Sequence, residues 1–155
     1  KSWYEKNIGA EFTIKRSEIM RLLQEESKLL EIVKLIGSDI LSDDQKLVLE
    51  AARVIRQGFL QQNAYHENDT YVPVGKQLRM MGTILELYNG CKKLISKNIP
   101  VSVIRETGIF NEVIRMKYTI GNDDDKGFDK LINKICQVLE RIDSEYGERE
   151  RKSLA

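Results

Sequence analysis

The chain has 155 residues, with 25 Lys plus Arg against 24 Asp plus Glu, a formal net charge of +1 and 32% charged residues. That length suits one domain with its own core, and a 41% hydrophobic fraction supplies the material for it. The near-neutral balance excludes a bulk electrostatic claim on nucleic acid or anionic lipid; either would need a local patch.

Residues 1–12 carry Trp3, Tyr4 and Gly9 without a period and read as an extended lead-in. From Ile14 the pattern turns helical, with Ile19, Leu22, Leu23, Leu30, Val33 and Ile36 at three- and four-residue spacings, and Gly37 supplies the stop. Residues 38–41 are a tight connection. Ser42 then starts a second helix: its hydroxyl can accept from the N–H of Gln45 while the Gln45 side chain reaches back, a capping box. Asp43 and Asp44 occupy the first turn, where the helix dipole favours carboxylates. Leu47, Ala51, Val54, Ile55 and Phe59 form its stripe, which ends near Gln61 or Gln62. The pair makes a helix–turn–helix hairpin.

Residues 63–73 break the pattern. A third helix is expected over 76–96, with Leu78, Met81, Leu85, Tyr88 and Ile95 on one face. Pro100 fits the first helical position of a short helix over 101–106, with Gly108 after it. A further helical stretch covers 111–117, and residues 121–127 are an acidic turn. Phe128, Leu131, Ile132, Ile135, Leu139 and Ile142 mark a last amphipathic helix. From Gly147 the charged tail lacks apolar anchors and is expected to fray. The fold class is all-α, a helical bundle with a long helix–turn–helix hairpin. Its organisation is a lead-in (1–12), a bundle domain (13–146) and a flexible tail (147–155).

No apolar run approaches the roughly 18 residues of a membrane span, and no signal-peptide pattern opens the chain. The expected setting is soluble, reducing and cytoplasmic. Cys91 and Cys136 have neither a CxxC partner nor a neighbouring His and read as two reduced, semi-buried core thiols. The opening on Lys1 rather than Met sets the expectation of a segment cut from a longer protein.

Catalytic motifs fail on inspection. A phosphate loop needs GxxxxGK[ST] so that backbone N–H groups can wrap phosphates, but the Gly75-Lys76 pair is followed by Gln77 and has Thr70 where the upstream glycine belongs. His66-Glu67 begins like HExxH, yet Thr70 stands at the second His position and the chain has no other His. Asp123, Asp124 and Asp125 precede Gly127 at the wrong spacing for an EF-hand and read as a solvated turn. No catalytic residue and no metal site are expected in this chain.

Residues 59–71 (FLQQNAYHENDTY) remain, rich in amides and carrying Tyr65 and Tyr71 six apart after a helix. One reading is an ordered loop whose aromatics cover the core. The other is a ligand-facing edge, since aromatic faces stack on planar bases and amides read their rims.

The run at 29–46 (LLEIVKLIGSDILSDDQK), the residues Ala51, Ala52, Arg53, Val54, Ile55 and Arg56, and the segment QQNAYHENDTY at 61–71 resemble the C-terminal domain of the catalytic A subunit (alpha chain) of A-type/V-type rotary ATPases, the V-type ATP synthases. The hairpin turn also resembles the acidic Asp-Glu-Leu-Ser-Glu-Glu-Asp motif of the F-type relatives: Asp39, Leu41 and Ser42 match, Asp43 and Asp44 keep the carboxylates, and Ile40 and Gln45 depart. The resemblance implies that the phosphate loop, catalytic glutamate and Mg²⁺ ligand lie in a preceding nucleotide-binding domain. ATP with Mg is then the cofactor of the full-length subunit, and none is expected for this segment alone. It implies an adenine-pocket edge at Gln62, Asn63, Tyr65 and Tyr71, and a rotor-stalk contact at Ser38, Asp39, Ile40, Leu41, Ser42, Asp43 and Asp44. The implied partners are the non-catalytic B subunits of the head and the central stalk subunit, on the cytoplasmic face of a membrane reached only through the complex, with proton or sodium ion transport as the outcome. A free-standing helical interaction module without nucleotide function is the alternative, and a small enzyme built on His66 a third.

Overall fold

The computed structural model describes residues 2–61 and 72–154, with side chains from residue 6 onward. Seven α-helices follow in order among them: α1 (Ser2–Ile36), α2 (Asp43–Ile55), α3 (Val74–Ser96), α4 (Val101–Glu106), α5 (Ile109–Ile114), α6 (Met116–Thr119) and α7 (Asp125–Leu154). A 3₁₀ turn (Ser38–Ile40) joins α1 to α2, and a π-helical turn (Arg56–Leu60) extends α2. The described residues contain no strand. The all-α bundle with its helical hairpin is therefore as the apolar spacing predicts.

Helices α1, α2 and α3 pack on one another, α7 lies along α3, and the short helices α4 and α5 close the flank of α2. On α1 the buried positions are Ile19, Leu22, Glu26 and Leu29, a 3-4-3 spacing that keeps one narrow stripe against its neighbours. Glu26 interrupts that stripe with a charge. Arg56 satisfies it, its Nε and Nη2 donating to Glu26 Oε1 at 2.9 and 2.6 Å, and so ties α1 to the π turn. Across the hairpin, α2 buries Leu47, Val48, Ala51, Ala52, Val54 and Ile55. Phe128, Leu131, Ile135, Val138, Leu139 and Ile142 of α7 cover α3 on its other side.

Both ends of the bundle differ from the sequence expectation. Residues 2–12, expected to be extended, form the first turns of α1, and α7 continues as helix through 147–154 instead of stopping at Gly147. Phe12 packs against the core, whereas residues 148–154 are exposed. Over residues 6–18 few side chains are covered, so no apolar period is required there; the Lys15–Glu11 pair at 2.8 Å adds i,i+4 support. Leu30 and Ile36, assigned to the α1 stripe, are exposed. Pro100 sits at the N-cap of α4 and not at its first helical position, because its ψ of 149° is still extended. Asn98, at φ 67°, takes the left-handed conformation that ends α3.

The two cysteines also part company. Cys91 is fully buried, and burial pushes its thiol up to about 12, whereas Cys136 is exposed on α7 rather than semi-buried in the core. A thiol-alkylating reagent at pH 8 is expected to modify one cysteine, Cys136, and to reach Cys91 only after denaturation. Mass spectrometry of the native and denatured protein reads this directly, and rapid native labelling of both would contradict the burial of Cys91.

Candidate functional site

Two regions at opposite ends of α2 carry the sequence-predicted residues. From Ser42 to Leu60 the helix and its π turn span roughly 25–30 Å at helical rise. One region is the hairpin tip, the other the junction where the chain leaves α2.

The tip is built by backbone chemistry. Gly37, at φ 86°, lets the chain leave α1 while its N–H still donates to Val33 O at 2.9 Å. The 3₁₀ turn closes with Leu41 N–H donating to Ser38 O at 3.2 Å. The capping box forms as expected: Gln45 N–H donates to Ser42 Oγ at 3.2 Å, and Ser42 N–H donates to Gln45 Oε1 at 2.9 Å. These bonds satisfy N–H groups that a helix start otherwise leaves orphaned.

The seven predicted tip residues do not share one role. Ser38, Asp39, Ile40, Ser42 and Asp44 lie on the surface. Leu41 is only 6% exposed and anchors the turn in the core. Asp43 is half-buried, and its Oδ1 accepts the N–H of Val101 at 3.1 Å, capping the start of α4, where Pro100 has no N–H to offer. Asp43 thus fastens the hairpin to the short helices. Asp43→Ala is expected to cost about 1 kcal/mol of stability, the ordinary value of a lost helix cap. Thermal unfolding checks this; an unchanged midpoint would mean the bond contributes nothing.

The tip is also less polar than its sequence reads. Leu35, Ile36 and Ile40 are 83, 61 and 63% exposed and crown it with apolar surface beside Asp39. At a chain reversal the last turn of α1 has no partner helix beyond it, so apolar residues there have no core to enter. That geometric fact is the signal that could have found them.

The junction lies at the other end. Gln61 N–H donates to Arg56 O at 2.7 Å, an i−5 bond that widens the last turn of α2. Gly58 within it is buried, and a Cβ there would stand 3.0 Å from Ile114 Cα and 3.2 Å from Ile114 O, so only glycine lets α5 approach this closely. Gln62, Asn63, Tyr65, Tyr71 and His66 lie outside the described residues. Their flanks are described. Gln61 O accepts from Lys117 Nζ at 2.9 Å, and Val72 O accepts from Gln77 Nε2 at 2.9 Å. Sequence reasoning missed Lys117 and Lys76, both buried here, because lysine in a helix pattern reads as surface.

No group of three or more His, Cys, Asp or Glu able to hold a metal ion occurs among the described residues, and no described helix is long and apolar enough to cross a membrane.

The protein family described as the C-terminal domain of V and A type ATP synthase matches residues 1–104. The chain is 45% identical over 144 residues to the V-type ATP synthase alpha chain 2 of Clostridium tetani, covering 93% of this chain and 24% of that protein. It is 42% identical over 146 residues to the V-type ATP synthase alpha chain of Halothermothrix orenii, covering 94% of this chain and 25% of that one. With the V-type ATP synthase alpha chain of Clostridioides difficile it shares 39% over 148 residues, 96% of this chain and 25% of that protein. The chain spans about a quarter of the length of these curated relatives.

Proposed function

Because this chain belongs to the family of C-terminal domains of V and A type ATP synthase, we propose that it serves as the lever of the catalytic subunit of such a rotary machine. In this reading, residues 62–71 close over the adenine of ATP through Gln62, Asn63, Tyr65 and Tyr71, and the hairpin tip presses on the central stalk. Nucleotide-driven movement then reaches the rotor and drives proton or sodium ion transport. The surrounding partners are the non-catalytic B subunits and the central stalk subunit, on the cytoplasmic face of the membrane.

The observation that carries the proposal is mechanical. A single helix, capped at Ser42 and held at its far end by Arg56 and Lys117, leads from the tip directly into the amide- and tyrosine-rich segment. A ligand shifts an open–closed equilibrium only by its differential affinity for the two states, so its contact must connect stiffly to whatever moves. The side chains of this chain suit that division of labour. Tyrosine rings and amides fit a planar base, whereas the phosphates and Mg²⁺ need a loop of glycine N–H groups and a Lys-Ser/Thr pair that this sequence lacks. ATP with Mg is therefore assigned to the full subunit, and isothermal calorimetry of this chain alone is expected to show no micromolar ATP binding and no hydrolysis heat. Micromolar affinity would contradict the assignment. Family membership favours this reading over the free-standing interaction module.

Base stacking on an aromatic side chain contributes about 1–3 kcal/mol, so Tyr65→Ala or Tyr71→Ala in the full subunit is expected to raise KM for ATP roughly tenfold for a loss near 1.4 kcal/mol. Steady-state hydrolysis measures it, and unchanged KM in both variants would overturn the adenine assignment.

A further inference from the structure

We propose that Lys117 and Lys76 are positioning residues for nucleotide binding, lashing both flanks of residues 62–71 to one short element, residues 117–122; the inference rests on the adenine-facing reading above. Lys117, in α6, is 3% exposed, and its ammonium donates to Gln61 O at 2.9 Å, where the chain leaves the π turn. Lys76, the third residue of α3, is 1% exposed. Its ammonium donates to Lys117 O at 2.8 Å, Ile120 O at 2.6 Å and Asn122 Oδ1 at 3.1 Å. All three of its protons are placed. Two of those acceptors are carbonyls at the C-terminal end of α6, which a helix end leaves without partners of its own.

The result is a relay. The outgoing flank at Gln61 is tied to α6 by Lys117, and α6 is tied by Lys76 to the first turn of α3, the incoming flank. Gln77, next to Lys76, holds Val72 O on the same side. The two flanks are thereby set at one spacing and one direction.

Two buried ammonium groups are a costly way to fill a core. Burial and, secondarily, the like charge of Lys117 lower the affinity of Lys76 for its proton, and a Met or Leu of similar volume would carry no such desolvation cost. What the ammonium supplies and a hydrocarbon does not is a directional tie to particular carbonyls. The Lys117 tie lands on Gln61, directly before residues 62–71, and the Lys76 tie starts from the first turn of α3, shortly after them. A third long-range bond reinforces the arrangement: Arg56, at the start of the π turn, is held on α1 by Glu26. The direction in which the chain enters residues 62–71 is thus determined from α1, α6 and α3 together.

The test uses the full catalytic subunit in the assembled ATPase head, with Lys117→Met, Lys117→Arg, Lys76→Met and, as reference, Tyr71→Ala. Steady-state ATP hydrolysis and hydrogen exchange of peptides spanning 56–61 and 72–77 are measured. Lys117→Met is expected to raise KM for ATP about tenfold with kcat changed less than twofold, and to accelerate exchange at both flanks while leaving α7 peptides unchanged. Lys117→Arg, which keeps a donor at the end of the chain, is expected to restore most of the KM. If Lys117→Met fails to assemble, the same readings are taken on Lys117→Gln, which shortens the reach but keeps a polar head. A KM raised by Tyr71→Ala but not by either lysine variant overturns the positioning role and leaves the adenine reading intact. Unchanged KM in every variant, Tyr71→Ala included, overturns the adenine reading and the positioning role with it. A KM raised by the lysine variants alone supports the positioning role and removes Tyr71 from the base contact.

Discussion

Replacing Gly58 with valine is expected to cost the domain about 2 kcal/mol or more, toward the upper end for overpacking a well-filled site. The added Cβ would meet Ile114 Cα at 3.0 Å and its carbonyl oxygen at 3.2 Å. Both are backbone atoms, so no side chain can turn away to relieve the contact. Helix α5 would have to retreat, and it buries Ile109, Phe110 and Val113 in the core. For a domain of this size the melting temperature should fall by about 4–8 °C. The Gly9→Ala variant is the control, since nothing lies within 4 Å of a Cβ there. It should stabilise α1 by about 0.5–1 kcal/mol, the usual penalty of glycine inside a helix. Calorimetric melts of the two variants separate a demand for space from a general dislike of glycine in helices. A tolerated valine at position 58 would mean that α5 is not fixed against the π turn.

The second large effect is expected at the hairpin tip. The combined variant Leu35→Ser, Ile36→Ser, Ile40→Ser removes apolar surface that the domain alone leaves in water. Its own melting point should therefore move little, within about 0.5 kcal/mol per site, as for surface positions generally. In the assembled machine these side chains are proposed to meet the stalk. Fully burying an aliphatic side chain is worth about 1.5–3 kcal/mol, so losing three such contacts should weaken the mechanical coupling far more than Asp39→Ala with Asp44→Ala. Exposed charges of that kind contribute about 0–1 kcal/mol each. Single-molecule rotation under ATP measures the torque. Full torque in the triple serine variant, with loss in the double aspartate variant, would reverse the ranking and make the carboxylates the working surface.

Much of this arrangement is legible in the residues because it obeys local rules. The capping box at Ser42 and Gln45, the stop at Gly37 and the stripes of α2 and α7 each follow from hydrogen-bonding or packing demands within a few turns of chain. What escapes is of two kinds. Helix that is exposed on all sides, at 148–154, needs no buried face and so carries no apolar period to detect. Long-range polar ties carry none either. Nothing within α6 says that Lys117 turns inward to Gln61 O, and nothing near Asp43 says that its carboxylate caps a helix 58 residues further on. Asp43 and Leu41 belong to the resemblance by position, yet physically they anchor the tip, while Leu35, outside the matched turn, is its most exposed apolar side chain. Gln62, Asn63, Tyr65 and Tyr71, proposed for the adenine edge, lie outside the described residues, and their assignment stands on the family resemblance.

In the proposed function this domain conveys nucleotide state to a rotor through the hairpin tip. A photoactivatable crosslinker attached at Ile40→Cys, in a Cys136→Ser background so that the tip carries the accessible thiol, reports what the tip touches in the assembled complex. A crosslinked product with the central stalk subunit is expected, and its formation should stop ATP-driven rotation. Crosslinking only to neighbouring head subunits, or none at all with rotation intact, would contradict it.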